Sequence, residues 1–265
     1  LVIYGDTSQD GVWYQGDPTR MSAHDFGPKP WGGQVGNGSP NFYLPQAGYF
    51  SWFGNDVIDA RLNAASQTDG ALDTIGINAY GGAGDDTIFG SQTGDRLAGG
   101  SGDDLIEGQR GGDLIYGDSG INVDLITREL SVVTSQGPLP AGSFDVVDHL
   151  AAGRDALRGE GAGSLSGANV ADVSDVIFGD HGAITQDVAG PRFTFVAGQP
   201  NALPAIDPRL QRVQSVGRLM ELVSVEPNNG AADTVFGGVG NDIVFGGGAG
   251  DELSGDEGND LVFGD

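Results

Sequence analysis

Apolar residues recur every nine positions in two blocks of this chain. From Gly81 it reads GGAGDDTIF, GSQTGDRLA, GGSGDDLIE and GQRGGDLIY, and from Asn228 it reads NNGAADTVF, GGVGNDIVF, GGGAGDELS and GDEGNDLVF. Position eight is apolar in every copy: Ile88, Leu97, Ile106, Ile115, Val235, Val244, Leu253 and Val262. Position six is always aspartate: Asp86, Asp95, Asp104, Asp113, Asp233, Asp242, Asp251 and Asp260. The first six positions cannot be helix, because paired glycines lose too much backbone freedom there and instead permit the left-handed conformations that turns require. The last three read as a short strand whose middle side chain points inward while its neighbours point outward. Two such halves close a coil of eighteen residues. Side chains eighteen apart then stack, Asp86 near Asp104 and Asp95 near Asp113, on parallel strands about 4.8 Å apart. The pattern predicts an all-β fold, a parallel β-roll with irregular and hairpin insertions.

Fainter copies extend the period. Asp56 before Val57 and Ile58, Asp69, Ala71 and Asp73 before Ile75, and Asp175 before Ile177 read as outlying turns, and decay of this kind is expected of capping repeats. An apolar-aromatic-Gly-Asp step occurs at Ile3–Asp6, Ile115–Asp118, Ile177–Asp180 and Val262–Asp265, and the period breaks after each internal copy. These steps mark exits from the roll. The expected organisation is an aromatic-rich cap over residues 1–53, a first roll block over 54–121, an insertion over 122–150, a degenerate roll block over 151–182, an insertion over 183–227 and a second roll block over 228–265, in one continuous module. The cap holds all three tryptophans, Trp13, Trp31 and Trp52. Alternating runs at Asn122–Ile126 and Arg218–Val225 suggest hairpin strands, with a helix over 208–223 started by Pro208 as the rival. Because the chain starts on Leu1 and stops inside a motif, a segment of a longer protein is expected.

The outward positions are unusually apolar, above all Phe89, Tyr116, Phe236, Phe245 and Phe263 at position nine. Large apolar faces mark contacts, so either the excursions cover them or copies of the chain assemble through them into a fibre, matrix or surface layer.

Charge then decides what the turns are for. Acidic residues outnumber basic ones by 37 to 12, for a net charge of −25, and stacked carboxylates repel unless cations sit among them. Nucleic acid and anionic membrane are poor partners for such a chain, and no stretch approaches the length of a membrane span. With no cysteine, neither disulfides nor thiolate metal sites are available. Oxygen-only ligation in flexible turns favours Ca²⁺ over Zn²⁺ and Mg²⁺.

The repeats resemble the GGxGxDxUx nonapeptide, with U apolar, of the RTX or hemolysin-type calcium-binding proteins. The resemblance covers residues 81–116 and 228–265. It implies that each ion lies between a turn and the one two repeats later. Gly82, Gly84 and Asp86 would share an ion with Gly99, Ser101 and Asp103, and Ser91, Thr93 and Asp95 one with Gly108, Arg110 and Gly112. Gly100, Gly102 and Asp104 would pair with Gly117 and Ser119, and Asn229, Ala231 and Asp233 with Gly246, Gly248 and Gly250. Gly238, Gly240 and Asp242 would pair with Gly255, Glu257 and Asn259, and Gly247, Ala249 and Asp251 with Gly264. Asp113 and Asp260 complete the set, with Asp56, Asp69, Ala71, Asp73, Gly90, Gln92, Gly94 and Asp175 as outlying candidates. Sites where Thr93, Ala231 or Ala249 replaces the fourth-position glycine should bind more weakly.

Other motifs add little. GGVGND leaves no room for the helix that a dinucleotide loop requires, and no nucleophile sits in a GxSxG context, so no enzyme is expected. His24, His149 and His181 are too separated to argue a zinc site, and Asn37-Gly38-Ser39 is a common accidental match to a glycosylation acceptor. The expected function is a calcium-binding structural module of a secreted or cell-surface protein, folding on extracellular calcium, with export by type I secretion implied by the resemblance. The alternatives are the folding and secretion region of an exported hydrolase or toxin, and an adhesin module binding glycan through the aromatic segment.

Overall fold

The computed structural model describes residues 1–6, 54–61, 76–123, 130–133, 150–161, 174–187 and 218–265. The strands of the first half are β1 (Val2–Tyr4), β2 (Val57–Asp59), β3 (Asn78–Ala83), β4 (Thr87–Phe89), β5 (Arg96–Ser101), β6 (Leu105–Glu107), β7 (Leu114–Tyr116), β8 (Gly120–Val123) and β9 (Leu130–Val133). Those of the second half are β10 (Ala156–Arg158), β11 (Val176–Phe178), β12 (Gly182–Asp187), β13 (Arg218–Ser224), β14 (Thr234–Phe236), β15 (Val239–Gly240), β16 (Ile243–Phe245), β17 (Glu252–Ser254), β18 (Glu257–Gly258) and β19 (Leu261–Phe263). No helix among them is long and apolar enough to cross a membrane.

The three-residue strands alternate between two parallel sheets. Sheet A runs β1-β3-β5-β7-β11-β16-β19 and sheet B runs β2-β4-β6-β10-β14-β17. A strand this short offers the core one side chain, so it cannot hold itself and gains its burial by stacking. Ile88, Ile106, Leu157 and Val235 pair in register along sheet B. Leu97, Ile115, Ile177 and Val244 do the same along sheet A. Together they form one core between the sheets. The two nonapeptide blocks lie in this single stack, joined through β10 and β11, whose strands occupy its middle.

Every departure from the period enters inside a turn and leaves the strand triplets intact. Three turns leading from sheet A to sheet B are interrupted, after Gly5-Asp6, Gly117-Asp118 and Gly179-Asp180-His181, and they resume at Gly54, Gly153 and Gly230. Two turns leading from B to A are interrupted after Ala60-Arg61 and Gly159-Glu160-Gly161. The aspartate of the Gly-Asp step explains how the turn survives. Asp118 Oδ1 accepts the Gly153 N–H at 2.7 Å and Asp180 Oδ1 accepts the Ala231 N–H at 2.8 Å. Each carboxylate thus ties the point where the chain leaves to the point where it returns.

Two insertions contribute antiparallel hairpins, β8–β9 and β12–β13. Arg218–Ser224 is strand, so the rival helix does not form over 218–223; residues 208–217 lie outside the described residues. The hairpins pack on the outer face of sheet A, where Ile121, Val132, Ile184 and Leu222 join Tyr80, Leu114, Tyr116, Val176 and Phe178 in a second apolar cluster. Of the two covers expected for the outward face, the excursions or another copy, Tyr116 has the first: the chain's own insertions bury it fully, so it is not part of an assembly surface. The rings of Tyr116, Phe178, Phe245 and Phe263 stack in a ladder with centroids 5.5, 4.8 and 4.9 Å apart. Cover fades along it: Phe245 is half-buried and Phe263 is 46% exposed. On the outer face of sheet B, Phe89 and Phe236 are half-buried. The Arg61 guanidinium lies 3.7 Å over the Phe89 ring and that of Arg158 5.7 Å from the Phe236 ring, attracted to the ring faces. The tryptophan-bearing segment, His24, His149 and Asn37 lie outside the described residues.

Candidate calcium site

The sixth-position aspartates form two ladders, one in each column of turns. In the column leading into sheet B, the backbone N–H of Asp56 donates to Asp86 Oδ1 at 2.7 Å and that of Asp86 to Asp104 Oδ1 at 2.7 Å. The series continues from Asp104 to Asp155 at 2.8 Å, from Asp155 to Asp233 at 2.9 Å and from Asp233 to Asp251 at 3.1 Å. In the column leading into sheet A, Ile77 donates to Asp95, Asp95 to Asp113, Asp113 to Asp175, Asp175 to Asp242 and Asp242 to Asp260, over 2.7 to 3.0 Å. One carboxylate oxygen of each aspartate therefore holds the neighbouring coil in register.

In five of them the other oxygen makes no hydrogen bond among the described residues: Oδ2 of Asp104, Asp113, Asp155, Asp175 and Asp233 is buried and has no partner there. Each of these atoms lies against the Cα of the turn's first glycine, together with the carbonyl oxygen of the equivalent residue one coil on. A Cβ at Gly99 would collide with Asp104 Oδ2 and the Gly117 carbonyl, and one at Gly108 with Asp113 Oδ2 and the Gly159 carbonyl. Gly117 meets Asp155 and Gly179 in this way, Gly159 meets Asp175 and Gly237, and Gly179 meets Asp233 and Gly246. Glycine is required here because the oxygens crowd toward its missing side chain.

Without a counter-charge these carboxylates are poorly placed. Burial lifts the carboxyls of Asp104 and Asp233 from 3.8 to about 8, with neighbouring aspartates adding to the rise. Asp113, Asp155 and Asp175 are pushed well up for the same first reason. Asp118, at the first hairpin exit, reaches about 11 through burial and the charge of Asp155. Buried, unpaired carboxylate oxygens beside turn carbonyls are the donor set of a hard cation. Among the described residues no three Asp, Glu or His side chains converge as a metal cluster, so backbone carbonyls would supply much of any coordination shell.

Family models match RTX calcium-binding nonapeptide repeats, in 4 copies, at residues 78–93, 89–124 and 228–264. The chain carries RTX repeats. Comparison with curated proteins and with solved structures gave no match.

The structure brings most of the expected ligand pairs of these RTX repeats together. Gly81, the first residue of the turn holding Gly82, Gly84 and Asp86, lies with Asp86 Oδ2 against the Gly99 carbonyl, and the Gly84 N–H donates to the Ser101 carbonyl at 2.7 Å. Gly100 donates to the Gly117 carbonyl at 2.9 Å, and Glu257 donates to that of Gly238 at 2.8 Å. Gly247 donates to the Gly264 carbonyl at 3.3 Å. Asp103 carries a further bond, accepting the Arg154 N–H at 2.8 Å. Asp56 and Asp175 take their places in the ladders; Asp69, Ala71 and Asp73 lie outside the described residues.

Three expected sites differ. Ser119 does not stand in the turn with Gly117, because the chain leaves after Asp118 and returns at Ala152 and Gly153; its hydroxyl instead accepts the Gly182 N–H at 3.2 Å. Asn229 does not occupy the second position of its turn, because Gly179-Asp180 fill the first two positions from before the insertion. Instead Asn229 closes the base of that insertion, donating to the Leu150 carbonyl at 3.1 Å and lying 2.8 Å from His181 Nε2. In the turn holding Ser91, Thr93 and Asp95, the carboxylate is already satisfied. Asp95 Oδ1 accepts the Ile77 N–H and the Ser91 hydroxyl, both at 2.8 Å, while Oδ2 accepts the Ser91 N–H. Its carboxyl is nevertheless lifted by burial to about 7.

Sequence reasoning missed Asp155, Gly159 and Gly179. The signal that finds them is shorter than the nonapeptide. An aspartate, one residue, an apolar residue, one residue and glycine recur as Asp155-Ala-Leu-Arg-Gly159 and Asp175-Val-Ile-Phe-Gly179. The glycine-rich half of these repeats is split by an insertion, and only the strand half keeps its phase.

Proposed function

We propose that this chain is a calcium-ordered structural module of a secreted or cell-surface protein, disordered at the low calcium of a cytosol and folded by the calcium outside. The observation that carries the reading is the pair of aspartate ladders, in which one oxygen of each carboxylate holds the neighbouring coil and buried partners such as Asp104, Asp155 and Asp175 present the other to turn carbonyls. Bringing these carboxylates together without cations opposes folding, so metal binding and folding are one equilibrium. The RTX repeats support export by type I secretion before the roll forms. Circular dichroism during a calcium titration tests this: β structure should appear with calcium and vanish with a chelator, and a spectrum indifferent to both removes the proposal.

Assembly into a fibre, matrix or surface layer is the finer part of the same reading. It rests on outward ninth-position rings that are only half-buried, Phe89 and Phe236 on sheet B and Phe245 on sheet A. Apolar faces of this kind suit contact with another copy. Light scattering in calcium reads it separately, since a monodisperse monomer would remove assembly and leave the calcium reading untouched.

A further inference from the structure

On the outer face of sheet A, Val2, Asn78, Arg96 and Leu114 are consecutive cross-strand partners. Two polar residues thus interrupt an apolar row, and both are buried, Asn78 completely and Arg96 to 6% exposure. The Arg96 Nη2 donates to Gln186 Oε1 on the β12–β13 hairpin at 2.8 Å. That amide brings no charge. Arg96 Nε, both polar atoms of the Asn78 amide, Gln186 Nε2 and the Tyr116 hydroxyl are all buried and have no hydrogen-bond partner among the described residues. The charge of Arg96 is felt at Tyr116, which lies on β7 two residues after Leu114, the cross-strand partner of Arg96.

Unmade hydrogen bonds along one buried sheet face are costly, and a desolvated guanidinium without an anion is among the most expensive of them. Here every unmet group except one amide oxygen can donate, and one of the donors is a permanent cation. A neutral acceptor would meet the N–H groups but leave the guanidinium charge unbalanced, and a cation would add to it. We propose that Arg96, Asn78, Gln186 and Tyr116 form a site for one small anion, a halide or a carboxylate group, between sheet A and the β12–β13 hairpin. The anion supplies the charge that Gln186 lacks and pins the hairpin to the roll, on the outer face of sheet A, where Arg96 directly follows Asp95 of the aspartate ladder.

The test is the melting temperature of the calcium-loaded full chain while sodium bromide or sodium acetate replaces the salt of a bulky sulfonate buffer at fixed ionic strength. A hundredfold excess of a bound anion over its dissociation constant should raise the melting temperature by roughly 5–10 °C. A response to bromide identifies a halide site and a response to acetate a carboxylate site. Arg96→Met, which removes the charge at similar volume, should abolish the response while preserving the calcium dependence of folding. Asn78→Leu, which restores the apolar row, should weaken it. Crystals grown in bromide give a second reading through an anomalous peak beside Arg96. Melting of the native chain that is indifferent to both anions, or an equal response in Arg96→Met, overturns the proposal.

Discussion

Asp104→Asn separates the two jobs of a ladder aspartate. Asp104 Oδ1 accepts the Asp86 N–H at 2.7 Å, and its Oδ2 is buried without a partner near the Gly117 carbonyl. Asparagine keeps the first oxygen and replaces the second with an amide that can donate to that carbonyl. Because burial lifts the Asp104 carboxyl from 3.8 to about 8, the chain folded without calcium at pH 7 holds it protonated. Taking up that proton costs about 4 kcal/mol at pH 7, where the unfolded chain leaves the group ionised. The substitution removes this cost, so in chelator the variant should favour the folded state over the native chain by up to roughly a thousandfold. At saturating calcium the sign reverses, because the ion loses a carboxylate oxygen and the urea midpoint should fall. Far-ultraviolet circular dichroism in urea, with calcium and with chelator, reads both arms. Equal destabilisation in the two conditions would refute the reasoning, since it would mean that Asp104 serves only as a backbone brace.

Two further outcomes follow from the same structure. The raised carboxyls of Asp95, Asp104 and Asp233, at about 7 to 8, bind more protons in the folded chain than in the unfolded one. In calcium-depleted buffer their contribution is fully present below about pH 4 and is lost as pH rises through 7 to 8; β structure followed by circular dichroism should therefore increase on acidification, whereas in calcium the concentration needed for half-folding should rise as protons compete. Ala249 holds a φ of +72° at a position where most of the other repeats have glycine, so Ala249→Gly should stabilise the calcium-loaded chain by about 1 kcal/mol, visible as a higher urea midpoint.

The nine-residue period was legible because a roll repeats its environment: position eight meets the core and position six meets the turn in every coil, so each copy retains the same residue types. From this come the parallel strands, the inward Ile88, Ile106 and Val244, and the aspartates of the uninterrupted repeats. The Gly-Asp exits were legible too, but their reason was not. That Asp118 and Asp180 clamp the departing chain to Gly153 and Ala231 depends on residues brought back after insertions of no fixed length.

Tertiary structure alone decided three things. It placed Asp155 in the ladder between Asp104 and Asp233, although Asp104 is 51 residues before it and Asp233 is 78 after it, because pairing between coils ignores how much chain has looped out. It covered Tyr116 with hairpins, which no local pattern encodes, since burial of an outward residue depends on what else folds over it. It also enclosed Arg96 and Asn78, residues whose polarity reads as solvent-facing along the chain and whose surroundings are set by the β12–β13 hairpin. The sequence by itself determined the repeating unit and the oxygen donors it offers to a hard cation, because residue types at fixed positions are local. The stacking order and the covering of the sheets came only from contacts made at long separation.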